Sequence, residues 1–226
     1  MINIAIIPAA GFGRRVGTKT NKQFLKIKGV PTSIYTMRRI AKSSMIDGII
    51  PVIRPDEIEM FNKHILKKFP VDKLIQVVPG GKERQFSVYN ALNVIDSANI
   101  VLIHDGVRPL FPDGIIETCI KTAIDKGGCA VAIKAVDTIK TGSNGFFNNT
   151  LDRNKIFQLQ TPQAFQFDLI KKAYDFVIDN SLNITDDAQA FEIINEKVAI
   201  VEGSKYNFKI TTKEDLRLAR LFLRDK

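Results

Sequence analysis

Short apolar runs rich in β-branched residues alternate with amphipathic stretches from the start of the chain. Runs of this kind, bounded by turn residues, are typical of strands that are buried on both faces. Their alternation with helical stretches predicts an α/β fold with a mostly parallel sheet. The predicted strands are Asn3–Pro8, Gly48–Ile53, Leu74–Val78, Ile100–His104 and Cys129–Ala135.

Apolar residues recur at helical spacing between these runs. This periodicity predicts two crossover helices, Phe86–Ile95 and Asp113–Lys126, and a further apolar stripe from Phe167 to Ile178. Thr211 and Glu214 have the spacing of a capping box, which predicts the start of a last helix.

Two stretches depart from this rhythm. Pro51 lies inside a predicted strand and has no N–H to donate, which predicts that the strand begins late or bulges. Residues 137–157 hold many glycines, asparagines and serines with almost no helical period, which predicts a turn-rich β excursion. An insertion of this length is uncommon in a compact domain unless it is functional or packs on a partner.

Composition limits the class of protein. The 226 residues, 45% of them hydrophobic and 25% charged, predict a single globular domain over 1–226. No apolar run is long enough to span a bilayer, and the apolar N-terminus lacks the basic leading region of a signal peptide. Cys119 and Cys129 have no CxxC spacing. These features together predict a cytoplasmic protein in a reducing compartment, without a membrane partner.

The net charge of +9 predicts anionic partners, which include nucleic acids, membrane surfaces and phosphorylated small molecules. Lysines and arginines occur as scattered doublets rather than long runs, and no aromatic residues that could stack on bases lie among them. This distribution favours a solvated basic surface over a nucleic-acid-binding stripe.

Small residues follow the first predicted strand. Gly11, Gly13 and Gly17 allow backbone N–H groups to approach an anion. The dinucleotide fingerprint requires a glycine where Val16 stands, and the P-loop pattern does not match either. Taken alone, the loop is equally compatible with a tight turn. Its own cations suit a polyphosphate; they are Arg14, Arg15, Lys19 and Lys22.

Polar residues also follow three other predicted strands, where open α/β sheets bind ligands. The segment 80–87 ends on Ser87, residues 104–109 contain Asp105, and Thr138 follows the fifth strand. Asp105 is suited to Mg²⁺ that bridges phosphates, or to capping a turn. His104 has no histidine or cysteine at ligand spacing, so we expect a backbone partner rather than zinc. Without a serine–histidine–acid arrangement, positioning and charge stabilisation remain as the chemical strategy.

Nine motifs occur in order along almost the whole chain. Together they resemble the 2-C-methyl-D-erythritol 4-phosphate cytidylyltransferase family of the non-mevalonate isoprenoid pathway. The motifs are Ala9-Ala10-Gly11-x-Gly13-x-Arg15, Lys22-Gln23-Phe24-Leu25, Gly80-Gly81-x-x-Arg84, His104-Asp105-x-x-Arg108-Pro109, Asp137-Thr138-Ile139-Lys140, Leu151-Asp152-Arg153, Gln160-Thr161-Pro162-Gln163, Thr185-Asp186-Asp187-Ala188, and Val201-Glu202-Gly203 continuing to Asn207-x-Lys209-Ile210-Thr211.

The resemblance implies a Rossmann-like three-layer domain with a protruding β-arm at about 137–157 that interlocks with a second subunit. It implies transfer of CMP from CTP to a small phosphorylated polyol, with release of pyrophosphate. Arg15, Lys22 and Lys209 would stabilise the developing charge, and Asp105 would hold Mg²⁺ or another divalent cation. The implied CTP-binding residues are Ala9, Ala10, Gly11, Gly81, Ser87, Asp105 and Gly106. Those implied for the polyol phosphate are Arg108, Thr138, Arg153, Thr161 and Thr185, with Arg153 acting across the dimer interface.

The chain departs from the family pattern at Asn21, where a proline is usual, at Phe86, where an aspartate is usual, and at Gly106-Val107, where two alanines are usual. Three alternatives stay open. A ribitol 5-phosphate cytidylyltransferase would make CDP-ribitol for surface polymers by the same chemistry. The others are a sugar-1-phosphate nucleotidyltransferase using UTP or GTP and a non-catalytic nucleotide- or RNA-binding module.

Overall fold

The computed structural model describes residues 1–11 and 24–223. The strands are β1 (Asn3–Pro8), β2 (Lys26–Ile27), β3 (Val30–Pro31), β4 (Gly48–Ile53), β5 (Val78–Pro79), β6 (Ile100–Ile103), β7 (Gly128–Lys134), β8 (Lys140–Ser143), β9 (Phe146–Thr150), β10 (Phe157–Gln166) and β11 (Ala199–Glu202). The α-helices are α1 (Thr32–Ala41), α2 (Ile58–Met60), α3 (Arg84–Leu92), α4 (Ile115–Lys126), α5 (Phe167–Asp179), α6 (Asp187–Ile193) and α7 (Lys213–Phe222). The 3₁₀ turns Pro55–Glu57 and Arg153–Lys155 and the π-helical stretch Phe61–Leu66 complete the helical segments.

Seven strands form one central sheet in the order β11-β7-β10-β6-β1-β4-β5. Six of them run parallel to one another, and β10 is antiparallel to both of its neighbours, β6 and β7. The prediction of an α/β fold with a mostly parallel sheet is therefore confirmed.

Helices cover both faces of this sheet. In β1, Ile4 and Ile6 join the cluster packed against α3, α5 and α6, whereas Ala5 and Ile7 join the cluster packed against α1 and α4. Successive residues of a strand point to opposite faces, so both sets of side chains are removed from water. This three-layer arrangement explains why the strand sequences are continuously apolar.

Two strand predictions are wrong, apart from one-residue differences at the ends of the predicted strands Ile100–His104 and Cys129–Ala135. The predicted strand Leu74–Val78 is wrong in extent, because regular pairing covers only Val78–Pro79 and Leu74 forms an isolated bridge to Ile49. The predicted late start or bulge at Pro51 is also wrong, since β4 pairs in continuous register with β1. The N–H of Ile49 donates to the Lys73 carbonyl, on the side of the sheet where β5 lies. The nitrogen of Pro51, two residues later, points to the same side, where β4 and β5 pair only from Val52 onward. The missing N–H of Pro51 therefore costs the sheet no hydrogen bond.

The predicted β excursion is an exposed hairpin of β8 and β9. Its turn contains Asn144 and Gly145, both with positive φ, which is the backbone that tight hairpin turns require. Residues 137–157 therefore hold the two strands of this hairpin and the 3₁₀ turn Arg153–Lys155.

The last helix begins one residue later than its predicted capping box. Thr212, not Thr211, is the N-cap, and its Oγ1 accepts a hydrogen bond from the Asp215 N–H at 3.1 Å. The Asp215 carboxylate accepts the Thr212 N–H at 2.8 Å in return, so Glu214 takes no part. Asp215 also accepts the hydroxyl and N–H of Thr211, which fixes this register.

No helix within the two described ranges combines the length and apolar character needed to cross a bilayer.

Candidate active site

Loops that follow β1, β5 and β6 meet at the carboxyl edge of the sheet. Strand β10 reaches the same edge from the opposite direction, because Gln163 pairs with Ile103 near the end of β6. Beyond that pair, the Asp105 N–H donates to Thr161 Oγ1 at 3.1 Å. The antiparallel strand thereby brings a hydroxyl from 56 residues away beside the Asp105 turn.

The first cavity lies between the loops after β1 and β5. Its narrowness depends on Gly80, where a Cβ would lie 2.3 Å from Cβ of Ala10, and on Gly81, where a Cβ would lie 2.3 Å from Cβ of Phe86. Ser87 Oγ accepts the Gly81 N–H at 3.1 Å and donates to the Glu83 carbonyl, which fixes the loop. The lining residues are Pro8, Ala10, Gly11, Gly81, Lys82, Glu83, Arg84, Ser87, Asp105, Val107 and Lys209.

The carboxylate of Asp105 is the electrostatic centre of the site. Its Oδ2 lies 2.8 Å from Lys209 Nζ and 3.4 Å from Arg108 Nε, and its Oδ1 lies 3.6 Å from Arg84 Nε. Burial alone would raise the pKa of Asp105. The positive charges of Lys209, Arg84 and Arg108 outweigh burial and hold this pKa well below its usual value. Asp105 is therefore ionised at neutral pH, and three cations surround one buried anion.

The second cavity lies on the other side of Asp105, between β10 and the start of α6. Arg108 is fixed by donating from Nη1 to the Asn207 carbonyl at 2.7 Å. Buried Asn207 in turn donates to the Thr161 carbonyl at 2.8 Å and to Gln160 Oε1 at 3.1 Å. The lining residues are Arg84, Asp105, Arg108, Leu159, Gln160, Thr161, Gln163, Thr185, Asp186 and Lys209.

Arg84, Asp105 and Lys209 line both cavities and form the wall between them. The wall carries two cations and one anion, and Arg108 adds a third cation on the side of the second cavity. Over both linings, cations exceed carboxylates by one, since Lys82 and Glu83 offset each other and Asp186 adds a second carboxylate beside Asp105. Three cations around the single carboxylate of Asp105 suit two anionic groups that must come close together. The arrangement can therefore hold two phosphorylated molecules side by side and offset the repulsion between them.

The structure brings together most of the site residues that the sequence indicated. Ala10, Gly11, Gly81, Ser87, Asp105 and Lys209 line the first cavity, and Arg108, Thr161 and Thr185 line the second.

Six predicted residues are not placed in either lining. Ala9 is buried and donates its N–H to the Val52 carbonyl at 2.8 Å, and Gly106 lies close behind it. Thr138 and Arg153 lie at the base of the hairpin, where Arg153 Nη1 donates to the Val136 carbonyl. Arg15 and Lys22 lie outside the described residues.

Arg84 lies within one of the sequence motifs, but the motif by itself indicates no role for it. Its guanidinium donates to both carboxylate oxygens of Asp187, at 2.7 and 2.6 Å, while its Nε faces Asp105. The 185–188 motif likewise indicates no separate role for Asp187. The only signal available was the presence of an arginine and an aspartate in two motifs 103 residues apart.

His104 has the backbone partner that the sequence predicts. Its Nε2–H donates to the Arg108 carbonyl at 3.0 Å, and its ring contacts Phe111 edge-on with 4.9 Å between centroids. Burial lowers the pKa of His104 to about 4, so the ring is neutral near pH 7. His104 therefore fixes the turn that carries Asp105.

Comparison with known proteins is consistent with this geometry. The family model described as IspD: 2-C-methyl-D-erythritol 4-phosphate cytidylyltransferase matches residues 3–225. A protein of that name from Clostridium kluyveri (strain NBRC 12016) is 44% identical over 96% of this chain and 94% of its own length. Another from Clostridium novyi (strain NT) is 42% identical over 98% of this chain and 96% of its own length.

Solved structures give the same result. The 4-diphosphocytidyl-2C-methyl-D-erythritol synthase of Anaerococcus prevotii DSM 20548 aligns with a TM-score of 0.85 and 30% identity, covering 99% of this chain and 96% of that one. The 2-C-methyl-D-erythritol 4-phosphate cytidylyltransferase of Francisella tularensis aligns with a TM-score of 0.84 and 33% identity, covering 98% and 99%. The chain therefore belongs to the 2-C-methyl-D-erythritol 4-phosphate cytidylyltransferase family.

Proposed function

We propose that this chain is a single nucleotidyltransferase domain that transfers CMP from CTP to 2-C-methyl-D-erythritol 4-phosphate and releases pyrophosphate, a step of non-mevalonate isoprenoid biosynthesis. The observation that carries this proposal is the wall of Arg84, Asp105 and Lys209 between two cavities. Family membership favours methylerythritol phosphate over the ribitol phosphate that the sequence left open.

The reaction needs charge stabilisation more than it needs a base. An oxygen of the polyol phosphate attacks the α-phosphorus of CTP in line, and the bond to the pyrophosphate oxygen breaks. A phosphate monoester is already a nucleophile, so its approach to a triphosphate is limited by repulsion. Lys209 and Arg108, held against ionised Asp105, are fixed cations that offset this repulsion without reorganising during transfer. We assign the same role, a positive charge that offsets phosphate repulsion, to Arg15 and Lys22.

The first cavity suits cytidine. Gly81 and its neighbours present backbone groups rather than side chains, and backbone N–H and C=O groups can read the donor–acceptor edge of cytosine. Ala9 and Gly106 support this surface from behind, whereas Ala10, Gly11 and Ser87 face the cavity.

The donor set also fits a divalent cation. Oδ1 of Asp105 accepts no hydrogen bond from the described residues, since its nearest cation is 3.6 Å away. Mg²⁺ commonly takes one or two carboxylates when phosphates and water supply its other ligands. The described ranges hold no cluster of three or more His, Cys, Asp or Glu residues that could cage a metal. Asp105 would therefore hold Mg²⁺ or another divalent cation jointly with the substrate, and the ion would neutralise phosphate charge.

The second cavity suits the polyol phosphate, for which Arg108, Thr161 and Thr185 provide a cation and two hydroxyls. Thr138 would also bind the polyol phosphate, and Arg153 would reach the site of a second subunit across the dimer interface. Exposed apolar side chains at the hairpin support a homodimer formed through this arm; they are Val136, Phe146, Phe147, Leu151, Phe157 and Leu159.

Substrate selection tests the activity directly. Purified protein with CTP and Mg²⁺ should release pyrophosphate only when methylerythritol phosphate is added. Ribitol 5-phosphate is the matched control, and UTP, GTP and ATP are controls for the base. Comparable or better turnover with ribitol 5-phosphate would refute the substrate assignment, and preference for another triphosphate would refute the nucleotide assignment.

Subunit complementation tests the arm. Lys209→Met and Arg153→Ala homodimers should both be nearly inactive. When both chains are co-expressed with different tags, the mixed dimer contains one intact site if Arg153 acts across the interface, and its activity should be about half that of wild type. If Arg153 acts within its own subunit, both sites of the mixed dimer carry one defect and the mixed dimer stays inactive.

A further inference from the structure

Three buried or half-buried side chains form a chain of hydrogen bonds behind the wall of the site. Tyr174 Oη on α5 donates to Asp187 Oδ1 at 2.6 Å, and Asp187 at the start of α6 binds both Nη groups of Arg84 on α3. Tyr174 and Asp187 are fully buried and line neither cavity. Of these three side chains, only that of Arg84 reaches the two cavities.

The distances divide the charges into two primary pairs. Arg84 lies 2.6 Å from Asp187 but 3.6 Å from Asp105, whereas Lys209 lies 2.8 Å from Asp105. Without the Asp187 carboxylate, the nearest anion to Arg84 would be Asp105, and the two cations would compete for one carboxylate. Asp187 therefore keeps Asp105 oriented toward Lys209.

The protonation states fit these roles. Burial, together with the neighbouring Asp187, raises the pKa of Tyr174, so its hydroxyl keeps the proton that it donates. Burial opposes the charge on Arg84, but the Asp187 and Asp105 carboxylates outweigh it and hold the pKa of Arg84 well above its usual value. A guanidinium carries five N–H donors. Arg84 uses two of its N–H donors to bind Asp187, so its remaining N–H donors are available to Asp105 and to the cavities.

We propose that Tyr174 and Asp187 are positioning residues for the transfer reaction, which hold Arg84 at the shared wall and thereby leave Asp105 to Lys209. The proposal rests on the proposed function, because its effect is measured on pyrophosphate release. Two substrate-facing groups, Arg84 and Asp105, then depend on a hydroxyl that neither substrate touches.

Tyr174→Phe is the cleanest test, since it removes one oxygen and keeps the buried ring. We expect kcat for pyrophosphate release to fall about fivefold to tenfold, which is the scale of one ordinary hydrogen bond, while KM for CTP changes less than about twofold. Tyr89→Phe on α3 is the matched control, because Tyr89 makes a ring contact with Lys171 and its loss of a hydroxyl should leave both constants unchanged.

A second variant separates geometry from charge. Arg84→Lys keeps the positive charge but cannot bind both oxygens of Asp187. If positioning matters, its kcat should fall by at least as much as that of Tyr174→Phe, about tenfold. A kcat equal to wild type in both variants, with only a lower melting temperature, would show that the chain of hydrogen bonds is merely structural and would overturn the proposal.

Failure of the proposed function is distinguishable from this outcome. In that case the wild-type protein itself would release no pyrophosphate with methylerythritol phosphate. The positioning proposal fails when the wild type is active and the Tyr174→Phe variant has the same kcat, whatever Arg84→Lys does, because Arg84 itself lines both cavities.

Discussion

The buried ring of His104 should make the stability of this protein depend on pH. In the folded chain its pKa falls from the ordinary 6.5 to about 4, chiefly because burial disfavours the charged ring. Below pH 6.5 the unfolded chain therefore binds a proton that the folded chain does not bind until about pH 4. The free energy of unfolding should fall as the pH decreases through this window.

The size of the effect follows from the pKa difference. One pKa unit corresponds to about 1.4 kcal/mol, so the whole window is worth about 3 kcal/mol, of which about 2 kcal/mol is lost between pH 7 and pH 5. Urea unfolding followed by circular dichroism at both pH values measures this loss. His104→Gln can still donate to the Arg108 carbonyl but does not titrate, so its pH-dependent loss should be smaller than that of wild type by about 2 kcal/mol.

The chain contains a matched control. His64 is the only other histidine, and it is exposed to solvent in the π-helical stretch 61–66. His64→Gln should follow the wild-type pH dependence. Parallel curves for wild type and His104→Gln would refute the reasoning, because His104 would then titrate alike in the folded and unfolded chains. An NMR titration of the His104 ring gives the same answer without unfolding.

Other predictions concern the site and its supports. Lys209→Met should lower kcat for pyrophosphate release by about 100-fold while circular dichroism shows an unchanged fold, because it removes the cation nearest Asp105. Gly80→Ala should weaken CTP binding, measured by calorimetry, by about tenfold or more, and adding Ala10→Gly should recover much of the loss by removing the atom that lies 2.3 Å from the new Cβ. Thr212→Ala should destabilise the protein in urea unfolding by about 1 kcal/mol, whereas Glu214→Ala should change stability by less than about half that amount, since Thr212 is the observed N-cap.

Local pattern was sufficient for much of the fold. The strands 3–8 and 48–53 have the predicted bounds, because a strand that is buried on both faces must be continuously apolar. The hydrophobic pattern did not predict β10, because its glutamines interrupt the continuous apolar run that is typical of a central strand. The pairing of β10 with β7 also shifts register between Leu159 and Gln163. Local pattern also placed the last capping box one residue early, because both threonine hydroxyls contact Asp215 and only that of Thr212 accepts its backbone N–H.

The candidate site shows the same division. The resemblance carried by the ordered motifs implied the reaction class and the roles of Asp105, Lys209 and Arg108, and the segments 80–87 and 104–109 follow predicted strand ends, where ligands bind. Only the tertiary structure decided that Arg84 belongs to the shared wall and that Asp187 holds it from 103 residues away. A sequence determines which charges are present and roughly at which edge of the sheet they lie. The partner that each charge takes is decided by distances of a few ångströms between distant segments, and those distances are set by packing of the whole chain.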